Sequence, residues 1–230
     1  MIKEIEILRY RNRGFEKVND KVVEEINFKI FVNKKEFAVL TILPEKIESF
    51  IYGFLFTNSL IESVRDIKKL KISGNICKVE VYNKRKISFS KNFEKDDVKI
   101  SSKKIFSILK KFQNMSKIYR DTGGVHSCGI SDGNDILVFA EDISRHNAFD
   151  KVVGEAILKN INLRDKIVLT SGRITSDTVF KGIRIKVPVI VSISAPSFYA
   201  IELGKLNNIT LIGFARGKRF NVYTCEWRIL

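Results

Sequence analysis

The chain has 230 residues and a formal net charge of +15, with 41 lysines and arginines against 26 acidic residues. This length is sufficient to bury a sizeable core in one large or two small domains. No apolar run reaches the roughly 18 to 20 residues that a membrane helix needs, and the start lacks the features of a signal peptide. The composition therefore predicts a cytoplasmic protein with an anionic partner and no membrane contact.

The three cysteines, Cys77, Cys128 and Cys225, form no Cys-x-x-Cys pair. This spacing predicts neither a disulfide framework nor a zinc or redox site, so no metal is expected. Many lysines occur in dispersed pairs, such as Lys34-Lys35 and Lys110-Lys111, which is typical of a solvated surface. No nucleic-acid motif accompanies them, and a nucleic-acid-binding module is kept only as an alternative.

The first hundred residues predict a small sheet with one helix. Apolar alternation and clustering indicate strands at residues 4–8, 22–32, 36–43, 70–72, 76–82 and 86–89. Residues 33–36 are predicted to turn a hairpin, and a helix is predicted to follow Pro44 and to end near Asn58. A charged break at residues 92–97 predicts a boundary between a small α+β portion, 1–98, and a larger α/β domain, 99–230.

The second half predicts strands that alternate with helices. A helix with one apolar face is predicted to begin near Ser101 or Ser102. Four short apolar runs follow at residues 136–140, 166–170, 188–193 and 209–213. Apolar residues at helical spacing follow three of these runs, near Phe149, after Ser176 and near Phe198, and predict a helix after each. Because the carboxyl ends of such strands bind ligands in open α/β sheets, we predict a single cleft built from four turns.

Basic, small and hydroxylic residues gather in these four predicted turns. They are Arg145, His146, Ser171, Gly172, Arg173, Ser194, Phe214, Ala215, Arg216, Gly217, Lys218 and Arg219. Asn147 is predicted to cap the helix after the first turn, and a helix start beside arginine favours an anion, most often a phosphate. Arginine can bind phosphate in a bidentate manner, and Phe214 could stack on a base or simply pack. A solvated loop and an unrelated nucleotide-binding enzyme are the alternatives.

The segment Thr122-Gly-Gly-Val-His-Ser-Cys-Gly129 places a histidine and a thiol two residues apart. In an extended segment, His126 and Cys128 would point to one face. The residues leave three interpretations open: a buried histidine and thiol without chemistry, a cysteine hydrolase, or a metal centre completed by His146 and Cys225.

Several motifs, taken in chain order, resemble those of one family. They are Ile51-Tyr-Gly-Phe-Leu-Phe-Thr57, Thr122-Gly-Gly-Val-His126, Glu141-Asp-Ile-Ser-Arg-His-Asn-Ala-Phe-Asp-Lys151, Ser171-Gly-Arg173, Ser194-Ala-Pro196 and Gly213-Phe-Ala-Arg-Gly-Lys-Arg-Phe-Asn-Val-Tyr-Thr224. Together they resemble the formate dehydrogenase accessory sulfurtransferases of FdhD/NarQ type. The resemblance covers most of the chain and implies a three-layer, cytidine-deaminase-like α/β sandwich beside a smaller N-terminal sheet-and-helix portion.

The resemblance also implies a function. Such a protein would bind molybdenum bis(molybdopterin guanine dinucleotide) as cargo, with GDP as a mimic, through the turn residues named above. It would transfer sulfur to this cargo from a cysteine desulfurase and so activate formate dehydrogenase or another molybdoenzyme. A homodimer is a further expectation.

The chain departs from the family at its sulfur-carrying loop. The family usually carries Cys-Gly-x-Cys-Gly between the small-domain strands and the following helix, whereas residues 88–97 here contain no cysteine. Cys77 is predicted to lie buried in a strand and Cys225 near a flexible terminus, so Cys128 is the candidate carrier. The alternative is a chaperone that binds and delivers the cofactor without carrying sulfur.

Overall fold

The computed structural model of the protein describes residues 1–82 and 98–230. The strand predicted at residues 86–89 and the whole of the segment that lacks the family's cysteine loop, residues 88–97, lie outside these ranges. Within the two ranges, no helix is long and apolar enough to cross a membrane.

The N-terminal part contains a hairpin and a four-stranded sheet. The hairpin is formed by β1 (Ile2–Arg11) and β2 (Gly14–Val23), and the sheet by β3 (Ile26–Val32), β4 (Lys35–Ile42), β5 (Ile67–Ser73) and β6 (Ile76–Val81) in the order β4-β3-β6-β5. The expected strand at 22–32 is therefore wrong, because the chain leaves one sheet at Val23 and enters another at Ile26. The hairpin predicted at 33–36 is confirmed, and both Asn33 and Lys34 have positive φ there.

One helix covers the four-stranded sheet. α1 (Ile47–Thr57) ends at its C-cap Asn58, as predicted, and a single 3-10 turn (Val64–Asp66) leads into β5. Phe50 and Leu55 of α1 are fully buried against Phe28 and Ile30 of the sheet. Cys77 of β6 lies in the same apolar cluster and has no exposed surface, which confirms the prediction that this thiol is buried in a strand. Burial raises the pKa of Cys77 to about 11.

The C-terminal part is an α/β sandwich, which confirms the predicted fold class. Its helices are α2 (Ser102–Met115), α3 (Lys117–Thr122), α4 (Arg145–Leu158), α5 (Ser176–Ile185) and α6 (Phe198–Leu206). Its strands are β7 (His126–Ser131), β8 (Ile136–Asp142), β9 (Ile167–Thr170), β10 (Val189–Ser192), β11 (Thr210–Arg216) and β12 (Arg219–Val222), in the sheet order β12-β11-β10-β9-β7-β8. The likeness to cytidine deaminases stays an expectation of the resemblance.

Alternation along the short strands separates the two faces of this sheet. Val168 and Ile190 belong to the apolar cluster that contains residues of α4, α5 and α6. Leu169 and Val189 belong to the cluster on the other face, which contains α2. Because both faces are covered, the parallel strands are continuous apolar runs, and the sheet is the middle of three layers.

The last residues are anchored in the structure. Ile229 bridges Ile100, the amide of Leu230 donates to the carbonyl of Ile100, and Arg228 in a 3-10 turn (Glu226–Arg228) is fully buried. Cys225 is buried as well. The expectation that Cys225 lies near a flexible terminus is therefore wrong, since backbone pairing holds the end of the chain against the segment before α2.

The N-terminal and C-terminal parts meet where α1 crosses α4. A Cβ atom on Gly53 would lie 1.7 Å from the carbonyl oxygen of Asp150, and one on Gly154 would lie 1.8 Å from that of Ser49. Only glycine allows the two backbones to approach this closely. The domain boundary near residue 98 stays a prediction.

Candidate functional site

Four strand ends meet at one edge of the six-stranded sheet. β9, β10 and β11 are parallel, and β8 runs in the same direction because β7 is antiparallel to both β8 and β9. The carboxyl ends of these four strands therefore share an edge, as predicted. β7 runs the opposite way and contributes its first residue, His126, to the same edge.

The start of α4 differs from the prediction in its cap. Ser144 is the N-cap, and its hydroxyl accepts a hydrogen bond from the amide of His146 at 3.3 Å. Asn147 was predicted at this position but lies inside the helix, where its side-chain amide donates to the Thr41 carbonyl at 2.9 Å and to Asp142 Oδ1 at 3.0 Å. Asn147 therefore joins α4 to the N-terminal part, and Arg145 and His146 form the first turn at the edge.

The side chain of Arg145 lies on the turn after β9. A Cβ atom on Gly172 would stand 2.6 Å from Arg145 Cδ and 2.7 Å from Arg145 Cβ, so glycine leaves the space that the arginine occupies. The Nε atom of Arg145 is buried and has no hydrogen-bond partner among the described residues. A buried donor without an acceptor is costly, which favours an anionic ligand at this point. Arg173 beside it is exposed.

A histidine and two serines connect β7 with the same turn. The Ser127 amide donates to Ser171 Oγ at 2.9 Å, and Ser171 Oγ lies 3.2 Å from His126 Nδ1. Burial, with the nearby charges of Arg145 and Arg173, lowers the pKa of His126. This histidine is therefore neutral at pH 7 and can exchange hydrogen bonds with a ligand.

His146 is neutral at pH 7 for similar reasons. Burial lowers the pKa of His146 to about 4, and the positive charges of Arg145 and Lys181 contribute. Lys181 forms an ion pair with Asp150, which is buried, and the Asp150 carboxylate also accepts a hydrogen bond from Thr57 Oγ1 at 2.7 Å. The sequence interpretation did not include this group of three residues, because its members lie on three different helices.

The turn predicted after the last strand is a hairpin. β11 continues to Arg216, and the chain reverses at residues 217–218 into β12, so the turn predicted over residues 214–219 begins later and is shorter than expected. A bulge with positive φ at Phe214 places that ring half-buried, and its amide donates to the Ser194 carbonyl at 2.9 Å. Ala215 is buried, whereas Arg216, Gly217, Lys218 and Arg219 are exposed at the tip.

A cavity of about 520 Å³ opens beside His126. Its walls come from the end of α2, from α3, from the glycine turn before β7 and from the starts of the turns after β8, β9 and β10. The lining residues are Phe112, Gln113, Ser116, Tyr119, Arg120, Gly123, Gly124, Val125, His126, Ser127, Ile143, Ser171 and Ile193. Of the predicted site residues, Ser171 lines it and the 214–219 hairpin does not.

The sequence interpretation missed α3 and with it Tyr119 and Arg120. The carboxylate of Glu141, at the end of β8, accepts hydrogen bonds from the amides of Ile118 and Tyr119 at 3.1 and 3.0 Å. This contact holds the first turn of α3 beside the cavity. The local sequence signal for α3 was Ser116, which lies at the N-cap position of this six-residue helix.

Cys128 is the candidate sulfur carrier, and it lies inside the sheet. It pairs with Ala140 and Thr170 in the neighbouring strands, its exposed fraction is 0%, and burial raises the pKa of its thiol. The expected accessible thiolate is therefore not present at this residue. Cys77 and Cys225 are buried too, so none of the three thiols in the sequence reaches the surface.

The hydrolase and metal interpretations gain no geometric support. In residues 1–82 and 98–230 no hydrogen bond joins Cys128 to either histidine, and no three His, Cys, Asp or Glu side chains converge as metal ligands do. The absence of a structural zinc stays a prediction.

Comparison with known proteins identifies relatives over the whole chain. The model of the FdhD/NarQ family matches residues 23–96 and 77–230. The chain is 34% identical to the sulfur carrier protein FdhD of Bacillus subtilis over 97% of this chain and 96% of that protein, and 33% identical to its Staphylococcus aureus namesake over 97% and 95%. A crystal structure described as a formate dehydrogenase accessory protein from Desulfotalea psychrophila has a TM-score of 0.86 and 29% identity, covering 100% of this chain and 99% of that one. The chain therefore belongs to the FdhD/NarQ family.

Proposed function

We propose that this protein assists the maturation of formate dehydrogenase or another molybdoenzyme by binding molybdenum bis(molybdopterin guanine dinucleotide) at the carboxyl edge of the six-stranded sheet. Its relatives are named sulfur carrier proteins, and its structural neighbour is a formate dehydrogenase accessory protein. The observation that carries the proposal is the meeting of four strand ends at one edge, where the unpartnered Nε of Arg145 lies beside the turn after β9. Diphosphates of the cargo would supply the missing acceptor, with Arg173 and the 216–219 hairpin contributing further charge.

The sulfur step is the second part of the proposal. A carrier needs an accessible thiolate, and Cys77, Cys128 and Cys225 are all buried. The geometry therefore favours delivery of the cofactor over a persulfide held on Cys128 in this conformation. Transfer from a cysteine desulfurase through Cys128 would require the helices that cover this face of the sheet to move, because Cys128 is buried in the cluster that contains α4 residues.

Calorimetric titration of GDP and ADP tests the binding site. We expect GDP to bind more tightly than ADP, and Arg216→Ala or Arg219→Ala to weaken GDP about tenfold, because each removes one charge-assisted contact. Lys103→Ala, which changes an exposed lysine on α2, is the matched control and should leave the affinity unchanged. Equal weak binding of both nucleotides would indicate a generic anion patch. Much tighter binding of duplex DNA with a steep salt dependence would favour the nucleic-acid alternative.

Mass spectrometry after incubation with a cysteine desulfurase and cysteine tests the sulfur step. Under the delivery interpretation no thiol gains sulfur, and Cys128→Ser still binds GDP and still supports maturation of the client enzyme. A persulfide on Cys128, lost in Cys128→Ser together with client activation, would show that this buried thiol is uncovered and carries sulfur.

A further inference from the structure

The four-stranded sheet of the N-terminal part has one open face, which none of the described helices covers. α1 packs on the other face, where Phe28 and Ile30 of β3 are fully buried. Side chains alternate along a strand, so Lys29 between these two residues points away from α1, and it is exposed. Because α1 also crosses α4 through Gly53, this helix separates the open face from the candidate site at the carboxyl edge.

Four lysines cross the open face on three adjacent strands. Lys29 lies on β3 and Lys78 on β6, which are the two inner strands, whereas Lys69 and Lys71 lie on the edge strand β5. The strand register places Lys71 directly opposite Lys78, and it places Lys29 opposite Ile76, two residues before Lys78. All four lysines are exposed, and none of their side chains forms an ion pair or a hydrogen bond with a described residue.

The usual explanation of surface lysines accounts for only part of this arrangement. Lysines on an edge strand such as β5 prevent pairing with another chain, but Lys29 and Lys78 lie on inner strands that are already paired. Like charges directly opposite each other destabilise a sheet, and no acid of residues 1–82 lies opposite Lys29, Lys71 or Lys78. The fold therefore tolerates an unfavourable concentration of positive charge on this face, which an acidic partner would relieve.

We propose that this open face binds an acidic surface of a protein partner. Val39 and Ile76, on either side of Lys29, are 50% and 38% exposed, and a protein surface can bury such aliphatic groups. Phe31 beside Lys78 is half-buried, so it presents little of its ring for the stacking on which binding of single-stranded nucleic acids depends. The inference goes beyond the proposed function, since a partner bound here leaves the carboxyl edge free for the cargo.

Fluorescence anisotropy on the full chain, with a labelled polyglutamate peptide at low salt, tests the proposal. The first triple variant carries Lys29→Gln, Lys71→Gln and Lys78→Gln together. We expect this variant to bind the peptide about tenfold more weakly than the unaltered chain does, because three exposed contacts between a cation and a carboxylate are lost.

The matched control removes the same net charge from another surface. Lys103→Gln, Lys104→Gln and Lys110→Gln together change three exposed lysines of α2 and should alter the affinity less than about twofold. Equal weakening by the two triple variants would mean that the peptide responds to net charge alone, and the proposal would be overturned. Failure of the peptide to bind the unaltered chain would overturn it as well.

A labelled single-stranded oligonucleotide and phosphatidylserine vesicles are the competing probes. If the first triple variant loses more affinity for either of these than for the peptide, the face belongs to a nucleic acid or a membrane, and the proposal fails. Calorimetry with GDP keeps the proposal separate from the proposed function. The first triple variant should bind GDP as the unaltered chain does, because α1 lies between the two surfaces.

Thermal unfolding separates a binding role from a structural one. Lys71→Gln alone relieves the repulsion from Lys78, so we expect its Tm to equal or exceed that of the unaltered chain. Weaker binding of the peptide at an undiminished Tm supports the proposal. A lower Tm would show that Lys71 contributes to folding, and it would contradict the unfavourable pairing of Lys71 with Lys78.

Discussion

The two parts of the molecule differ in what they bury. In the described N-terminal residues, 1–82, no polar or charged side chain is buried, and the core is an apolar cluster built around Phe28, Phe50 and Leu55. In residues 98–230 the buried set includes acids, a lysine, an arginine and several hydroxyls. They are Ser116, Ser127, Ser131, Glu141, Asp142, Asn147, Asp150, Lys151, Thr170, Thr178, Ser192, Thr210, Thr224 and Arg228.

The partners of these buried groups explain the difference. Asp142 pairs with Lys151 at 2.7 Å, and both side chains have no exposed surface. The amide of Leu43 donates to Asp142, and the carbonyl of Leu43 accepts from Lys151. The N-terminal part therefore supplies backbone groups that satisfy charges of the C-terminal part, because an unpaired buried charge costs several kcal/mol. This buried network of hydrogen bonds and one ion pair holds α4 in place, and the first turn of α4 forms one side of the candidate site.

Removing one member of the buried ion pair between Asp142 and Lys151 should have the largest effect on stability. Lys151→Met leaves the Asp142 carboxylate buried without its counter-ion, and we expect a loss of about 3 to 5 kcal/mol in the free energy of unfolding. Urea denaturation measures this. Asp142→Asn in the same background should restore part of the loss. Lys159→Met, which removes a lysine that is 53% exposed from its pair with Glu155, should cost less than about 0.5 kcal/mol. A loss below about 1 kcal/mol for Lys151→Met would contradict the interpretation.

Separating the two parts at the helix crossing should have the next largest effect. Gly53→Ala places a methyl group 1.7 Å from the Asp150 carbonyl oxygen, so α1 and α4 must move apart. We expect a destabilisation of about 3 kcal/mol or more, measured by urea denaturation. Gly14→Ala is the matched control, because its nearest neighbour would be the Arg11 carbonyl oxygen at 3.9 Å. Equal stability of the two variants would contradict the close approach of α1 and α4.

Both histidines of the sequence lie in the C-terminal part, so acid sensitivity that is due to histidine should arise there. The pKa of His146 is lowered to about 4 when folded, so the unfolded chain, with an ordinary pKa of about 6.5, binds this proton first as the pH falls. Stability from this group is complete above about pH 6.5 and is lost as the pH falls towards about 4. We expect up to about 3 kcal/mol of difference between wild type and His146→Gln across this window. Parallel stability curves for the two proteins would exclude the effect.

The smallest effects on stability are expected for two glycines, one in a turn of each part. Gly74 and Gly217 both have positive φ, and neither has a heavy atom within 4 Å of an added Cβ. Gly74→Ala and Gly217→Ala should each cost about 1 kcal/mol, since a left-handed conformation is strained for alanine. Thermal unfolding measures that cost. Only Gly217→Ala, in the 216–219 hairpin, should also weaken GDP; an equal effect of Gly74→Ala on GDP would contradict the assigned position of the site.

The sequence by itself determined most of the elements and the edge at which they converge. Strand and helix periods, the Asn33-Lys34 turn and the stop at Asn58 are local signals, and each depends on residues a few positions apart. The alternation of strands with helices then predicted that the carboxyl ends of four strands share one edge. This prediction succeeded because the direction of parallel strands follows from their connections.

Tertiary structure alone decided the details of the site. Glu141 caps α3 from more than 20 residues away, and Asn147 serves the Thr41 carbonyl instead of capping its own helix. Whether Cys128 was accessible depended on the helices packed on its face of the sheet, because the thiol belongs to the apolar cluster that contains α4 residues and is completely buried. Burial and hydrogen-bond satisfaction are properties of long-range contacts, so no local pattern of residue types could determine them.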